Sequence, residues 1–205
     1  LVPDNVPSHQ IYAMRGFDFT PPANVNAGST SINVTANSYQ DSVGNLGSAS
    51  NTITISYDTL APTLVITSSR SLVGMGQTAT ITFTFSEDPG STFVWDGSAG
   101  DITLSNGTLS AISGTGLTRT AIFTPTANLA SGNASIAVTA GSYSDVAGNA
   151  GTLGSTPDIS IDTLGLSISS VQLPNTNSYT AKAGEEIVVY LFYPERALVG
   201  TSNGL

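Results

Sequence analysis

Apolar and polar residues alternate one by one along much of this 205-residue chain, most clearly from Thr78 to Phe85. There Ala79, Ile81, Phe83 and Phe85 interleave with Thr78, Thr80, Thr82 and Thr84. Successive side chains of a strand point to opposite faces, so the pattern predicts a strand with an apolar inner face and a threonine outer face. Ile136, Val138 and Ala140 alternate in the same way, as do Ile159 and Ile161. Further strands are expected at 63–67, 101–105, 108–112 and 117–123. Asn106-Gly107 reads as a hairpin turn, and Gly97-Ser98-Ala99-Gly100 and Gly114-Thr115-Gly116 as breaks. No stretch carries helical periodicity.

A second pattern runs at long range. Residues 19–60 recur 104 positions later without a gap, and 23 of these 42 positions are identical. Phe19-Thr20-Pro21 returns as Phe123-Thr124-Pro125, Ser38-Tyr39-Gln40-Asp41 as Ser142-Tyr143-Ser144-Asp145, and Gly44-Asn45 as Gly148-Asn149. A repeat of one domain's length means an array of similar modules rather than one catalytic body. Asp58-Thr59-Leu60-Ala61-Pro62 and Asp162-Thr163-Leu164-Gly165-Leu166 mark two module starts, which enclose a complete unit at 58–161. About seven short strands in that length predict an all-β chain of tandem immunoglobulin-like β-sandwich modules, one complete and two partial. A barrel of similar strand count is the competing architecture.

Residues 1–57 match the rear half of the unit, and 162–205 the front half of a divergent module. In that last segment Ala183-Gly184 precedes Ile187, Val189, Leu191 and Tyr193, which alternate as Ile81 to Phe85 do, and Glu195 falls where Glu87 falls. Val188, Tyr190 and Phe192 replace the outer threonines. Such a face invites aggregation when exposed, so a cover for it is expected.

Composition narrows the function classes. An apolar fraction of 40% with only 9% charged residues suits compact cores rather than a disordered chain. Lys182 and four arginines (Arg15, Arg70, Arg119, Arg196) stand against 14 acidic residues. The net charge of −9 argues against nucleic acid or anionic lipid as partners, and suits a solvated extracellular protein or a cation binder. With no cysteine, neither a disulfide framework nor a thiolate metal site can form. No apolar run approaches the roughly 18 residues of a membrane helix, and no signal-peptide pattern is present, so membrane insertion is not expected. The start at Leu1 rather than Met fits a processed or excised segment.

Three motifs carry a family resemblance: Asp58-Thr-Leu-Ala-Pro62, Thr80-Ile-Thr-Phe-Thr-Phe-Ser-Glu87 and Ser142-Tyr-Ser-Asp-Val-Ala-Gly-Asn149. Together they resemble the bacterial Ig-like repeats of very large secreted adhesins, of the biofilm-associated and RTX types. The likeness covers the complete central unit and, through the repeat, most of 11–57; it is looser over 162–205. It implies an extended stalk at the bacterial surface that projects an adhesive tip, commonly stiffened by calcium between modules.

The residues singled out for chemistry are the acids at the motif ends: Asp58, Glu87 and Asp145, with their repeats Asp41, Asp162 and Glu195. In an Ig-like sandwich the first strand starts at one end, the second returns to it and the sixth also finishes there. Asp58, Glu87 and Asp145 would then meet at a module junction. Close carboxylates repel unless a cation or water separates them, and calcium takes six to eight oxygen ligands, for which carboxylates and the carbonyls of the Gly148-Asn149 turn are suited. The alternative is that these acids cap turns, since Asp-x-x-Gly-Asn is ordinary turn chemistry. Asp162 and Glu195 lack a rear-half partner in this chain.

Catalytic candidates are few, and no enzyme is expected. His9 is the sole histidine, so neither a Ser-His-Asp arrangement nor a histidine metal site has a basis. Paired carboxylates serve glycosidases, but no aromatic-lined cleft is indicated. Trp95, the sole tryptophan, reads as core or edge packing beside Phe93 and Val94, with a sugar-stacking platform as the alternative. Asn33-Val-Thr, Asn106-Gly-Thr and Asn133-Ala-Ser match the glycosylation pattern, as chance predicts in so Asn- and Thr-rich a chain. The expected function is a non-catalytic spacer of an adhesin or fibre. A module binding glycan, ice or protein, suggested by Thr78, Thr80, Thr82 and Thr84, is one alternative. Head-to-tail self-association into a filament is another, because the two partial modules total 101 residues, close to one module of 104.

Overall fold

The computed structural model describes residues 16–173 and 180–193. The described residues up to Ala61, with Ala147–Asn149, form one compact unit, and those from Pro62 onward form another. Every regular element among them is a strand, and no helix is long and apolar enough to cross a membrane.

The first unit holds an antiparallel pair, β1 (Gly28–Ile32) and β2 (Ile53–Tyr57), in the register Gly28↔Tyr57 to Ile32↔Ile53. Phe19 packs a tilted ring on Tyr57 at 5.8 Å.

The second unit is a sandwich of two four-stranded sheets. The first sheet is ordered β3 (Leu64–Ser68), β5 (Ala79–Phe85), β8 (Thr118–Pro125) and β7 (Gly107–Leu109), and is antiparallel throughout. The second is ordered β4 (Leu72–Gly74), β10 (Ile159–Asp162), β9 (Gly132–Val138) and β6 (Ile102–Ser105). The alternation read from the sequence sets the inner faces: Ile81, Phe83 and Phe85 of β5, Ala121 and Phe123 of β8, Ile136 and Val138 of β9, and Ile159 and Ile161 of β10 are buried. Each of the valine, isoleucine and phenylalanine side chains among them contributes about 1.5–3 kcal/mol on leaving water. Phe93, in the loop after β5, completes the core, with ring contacts to Phe83 (5.5 Å), Phe85 (4.9 Å) and Tyr143 (6.1 Å). Two separate four-stranded sheets around one shared core make this unit a sandwich rather than a barrel.

Three local features depart from the sequence reading. Beyond Ser68 the entering strand changes sheets and continues as β4, parallel to β10 in the register Leu72↔Ser160 and Val73↔Ile161. Three residues are too few for alternation to reveal. Asn106-Gly107 does not make a hairpin: β6 pairs with β9 and β7 with β8, so this dipeptide carries the chain from one sheet to the other. Asn106 holds φ at 56°, and its Nδ2 donates to Asn133 O at 2.8 Å. The dipeptide was a sound signal for positive φ, but the crossing rather than a turn uses it. Third, the strand expected at 108–112 pairs regularly only over Gly107–Leu109. Ser113 then rejoins β8 through reciprocal bonds with Thr120 of 2.8 and 2.9 Å.

Later in the chain β11 (Ser170–Gln172) and β12 (Tyr190–Phe192) pair antiparallel, with Val171 opposite Leu191 as Ile66 is opposite Phe83. Val188, Tyr190 and Phe192 are exposed, as are Ile187, Val189 and Leu191.

Candidate functional site

The segments 19–60 and 123–164 share many of the same hydrogen bonds. Thr59 Oγ1 donates to Pro22 O (2.7 Å) and accepts from Val25 N (3.0 Å); Thr163 Oγ1 donates to Thr126 O (2.6 Å) and accepts from Leu129 N (3.0 Å). Gly47 N donates to Tyr39 O at 2.8 Å, and Gly151 N to Tyr143 O at 2.8 Å. A Cβ on Gly151 would lie 2.2 Å from the Tyr143 ring, so this ring requires glycine beneath it. The surroundings differ, however. Phe123, Val138 and Tyr143 are buried, whereas their counterparts Phe19, Val34 and Tyr39 are exposed.

The six acids divide among several environments. Asp41 is exposed, and its bonds stay in its own loop: Oδ1 accepts from Val43 N (3.0 Å) and Asn45 N (2.9 Å), and Oδ2 from Asn45 Nδ2 (2.7 Å). The Asn45 side-chain amide, then the backbone amides of Asn45 and Val43, hold its carboxyl below the ordinary value. This is turn-cap geometry. Asp58, half-buried in the first unit, accepts from Leu60 N on Oδ1 (3.0 Å) and from Asn149 Nδ2 on its carbonyl (3.3 Å). Glu87 and Asp145 belong to the second unit. The first follows β5 and the second follows β9, so each sheet supplies one carboxylate at the same end of the sandwich, and their oxygens lie within 4.8 Å of each other. Asp145 is buried and Glu87 half-buried. Two ligands of one calcium ion, each at about 2.3–2.6 Å, can stand no farther than about 5 Å apart, so this spacing is compatible with a hard divalent cation. Asp162 is exposed at the end of β10, and Glu195 lies outside the described residues, as does His9.

Sequence reasoning passed over Arg119. Its position on β8 faces the core side, in register with Phe83, and it is 6% exposed. The guanidinium donates from Nη1 to Gly116 O, and from Nη2 to Asp88 Oδ1 (3.2 Å) and Gly90 O (3.4 Å). One side chain thereby ties the loop after β5 to the turn before β8. A signal was available: one of only four arginines, set in an alternating run where an apolar residue belongs.

Trp95 packs on the core, as one of its sequence readings expects, and it also borders two shallow hollows of about 510 and 540 Å³. The outer face of the first sheet carries a row of Thr67, Thr82 and Thr120 across three strands, interrupted on either side by Val65 and Ile122.

Residues 58–162 match the family model described as the bacterial Ig-like domain. No curated protein and no solved structure matches the chain.

Proposed function

The chain belongs to the bacterial Ig-like domain family, and on that premise we propose that it is a non-catalytic structural segment of an extracellular adhesin or fibre, serving as a stiff spacer at the bacterial surface. The observation that carries this is the recurrence, 104 residues apart, of the same hydrogen bonds around Tyr39 and Tyr143 and around Thr59 and Thr163. A unit rebuilt in such detail supplies length by repetition, as in other quasi-one-dimensional repeat proteins. Small-angle scattering of chains extended by whole modules tests it. The maximum dimension should rise linearly with module number, and compaction into a globule would exclude a spacer.

The same reading takes calcium as the ion held by Glu87 and Asp145, where it would cross-link the two sheets at one end of the sandwich. Calorimetric titration of chelator-treated protein should give heat and a raised Tm at millimolar calcium, both lost in Glu87→Gln. Absence of both leaves these acids as turn caps.

Exposure of Phe19, Val34 and Tyr39 favours a partner reading as well. Tyr143, the buried counterpart of Tyr39, is packed by Phe85 of β5 and Phe93 in the loop after it, so a front half of a neighbouring module is the matching cover, from the same chain or an adjacent one. If copies pair head to tail, the 205-residue chain assembles into filaments. A clean monomer by light scattering rules that form out.

A further inference from the structure

We propose that Trp95 is the stacking platform of a shallow site for a neutral saccharide on the flank of the complete sandwich.

The ring is held before any ligand arrives. Trp95 forms an antiparallel bridge with Gly100 around a turn in which Asp96 Oδ1 accepts from Ser98 N (2.8 Å), Ser98 Oγ (2.9 Å) and Ala99 N (2.8 Å). Those bonds, Ala99 N foremost, hold the Asp96 carboxyl below its ordinary value. Asp101 Oδ2 accepts from Val94 N (2.7 Å), Ile112 N donates to Trp95 O (3.2 Å), and the indole N–H donates to Leu109 O (3.4 Å). A platform fixed in this way loses little entropy on binding.

One side of Trp95 borders a hollow of about 510 Å³, within the common size range of small-molecule sites, about 300–1,000 Å³. Its wall holds no ionisable side chain. Ile102 and Leu104 add apolar surface, and Ser98 and Thr108 bring hydroxyls. The wall is low because the fold demands glycine there: at Gly100, with φ 138°, a Cβ would lie 2.2 Å from Val94 O.

This combination selects the ligand class. An ion would find no counter-charge in the hollow, and the chain's net charge of −9 disfavours anions. A pyranose presents an apolar C–H face to the indole and hydroxyls at its rim to Ser98, Thr108 and the backbone, which fits both halves of the wall. The hollow lies at the edge strands β6 and β7, along the side of the sandwich, whereas Glu87 and Asp145 sit beyond the strand ends. A site on the flank stays open whatever adjoins the ends.

Because Trp95 is the sole tryptophan, its emission, excited at wavelengths that tyrosine does not absorb, reads this site alone. Chitotriose, cellotriose and maltotriose would be titrated into the full chain. At least one should give a saturable shift in emission at millimolar concentration or below. Ala99→Lys lays a long side chain over the ring from an exposed position, and should weaken that binding about tenfold while Tm is kept, the loss expected for one blocked aromatic contact. Trp95→Phe, read by calorimetry, should weaken it comparably; if that variant fails to fold, Ala99→Lys carries the test. No shift with any of the three sugars overturns the proposal, and so does a shift that Ala99→Lys leaves intact.

Discussion

Tyr39 and Tyr143, 104 residues apart, each donate a phenol proton to the carbonyl nine residues on, Ser48 at 3.0 Å and Thr152 at 3.1 Å, yet Tyr39 is 53% exposed and Tyr143 only 2%. Tyr143 shares its proton with Pro62 O at 3.2 Å, which ties the loop after β9 to the start of β3. The same local sequence therefore folds the same way in both places, and the burial comes from the front half that packs on it. Tyr143→Phe removes both bonds of a buried phenol, although Pro62 O keeps Thr152 N as a donor at 2.9 Å, and should cost about 1–2 kcal/mol in a denaturant titration. Tyr39→Phe, at an exposed site, should stay within about 0.5 kcal/mol.

Burial raises the Tyr143 phenol above its ordinary value near 10.0, with the Thr152 bond opposing in part. The folded state then holds this proton more tightly than the unfolded state. Its contribution to stability is complete below about pH 10 and is lost as pH rises through the folded-state value. Thermal melts between pH 9 and about 11.5 should show a falling Tm, with a shallower fall in Tyr143→Phe.

Arg119 supplies a third prediction. Arg119→Met strips donors from Gly116 O and Gly90 O at a buried position, and should cost about 2–4 kcal/mol. Asp88, its ionic partner, is 48% exposed on its side chain, so Asp88→Asn should cost under about 1 kcal/mol. Equal losses in the two variants would mean that the ion pair, rather than the carbonyl clasp, holds the two loops together. Arg119→Lys should recover little, because an ammonium cannot reproduce the guanidinium fork.

At the sheet crossing, a methyl group on Gly107 would meet the Phe123 ring at 2.4 Å and Thr124 O at 2.6 Å. Gly107→Ala should therefore destabilise by about 1–3 kcal/mol, through displacement of a core aromatic. Asn106→Gly keeps the positive φ and loses only the bond to Asn133 O, so about 1 kcal/mol is expected. Guanidinium titration of both variants checks the order.

Much of the fold was legible because one face of each long strand is buried. The alternation from Ala79 to Phe85 and from Ile136 to Val138 gave the inner rows directly, and the structure adds that β1–β2 and β9–β10 share one register 104 residues apart. What escaped was short or depended on tertiary partners. β4 spans three residues, too few for a period to show. Asn106-Gly107 announces a positive φ but not whether the chain turns back or crosses over. Arg119 drew no reading from the sequence, because its role depends on carbonyl partners in two separate loops, and Trp95 was weighed as packing or platform, of which the structure shows the packing. Among the acids, sequence reasoning anticipated that residues following β5 and β9 would share one end, because strand order alone dictates it. The hydrogen bonds that keep Asp41 within its own turn needed coordinates.

The parallel pairing of β4 with β10 sets how the complete sandwich would respond to tension along the chain. A pull from the Pro62 side is borne first by β3 on β5; once β3 is released it draws β4 backward, while a pull from the Thr163 side draws β10 forward, so the two slide past each other along their common axis. The hydrogen bonds between Leu72–Gly74 and Ser160–Asp162 are then loaded in shear and must give way together. An antiparallel terminal pair pulled apart from one end would instead open one bond at a time.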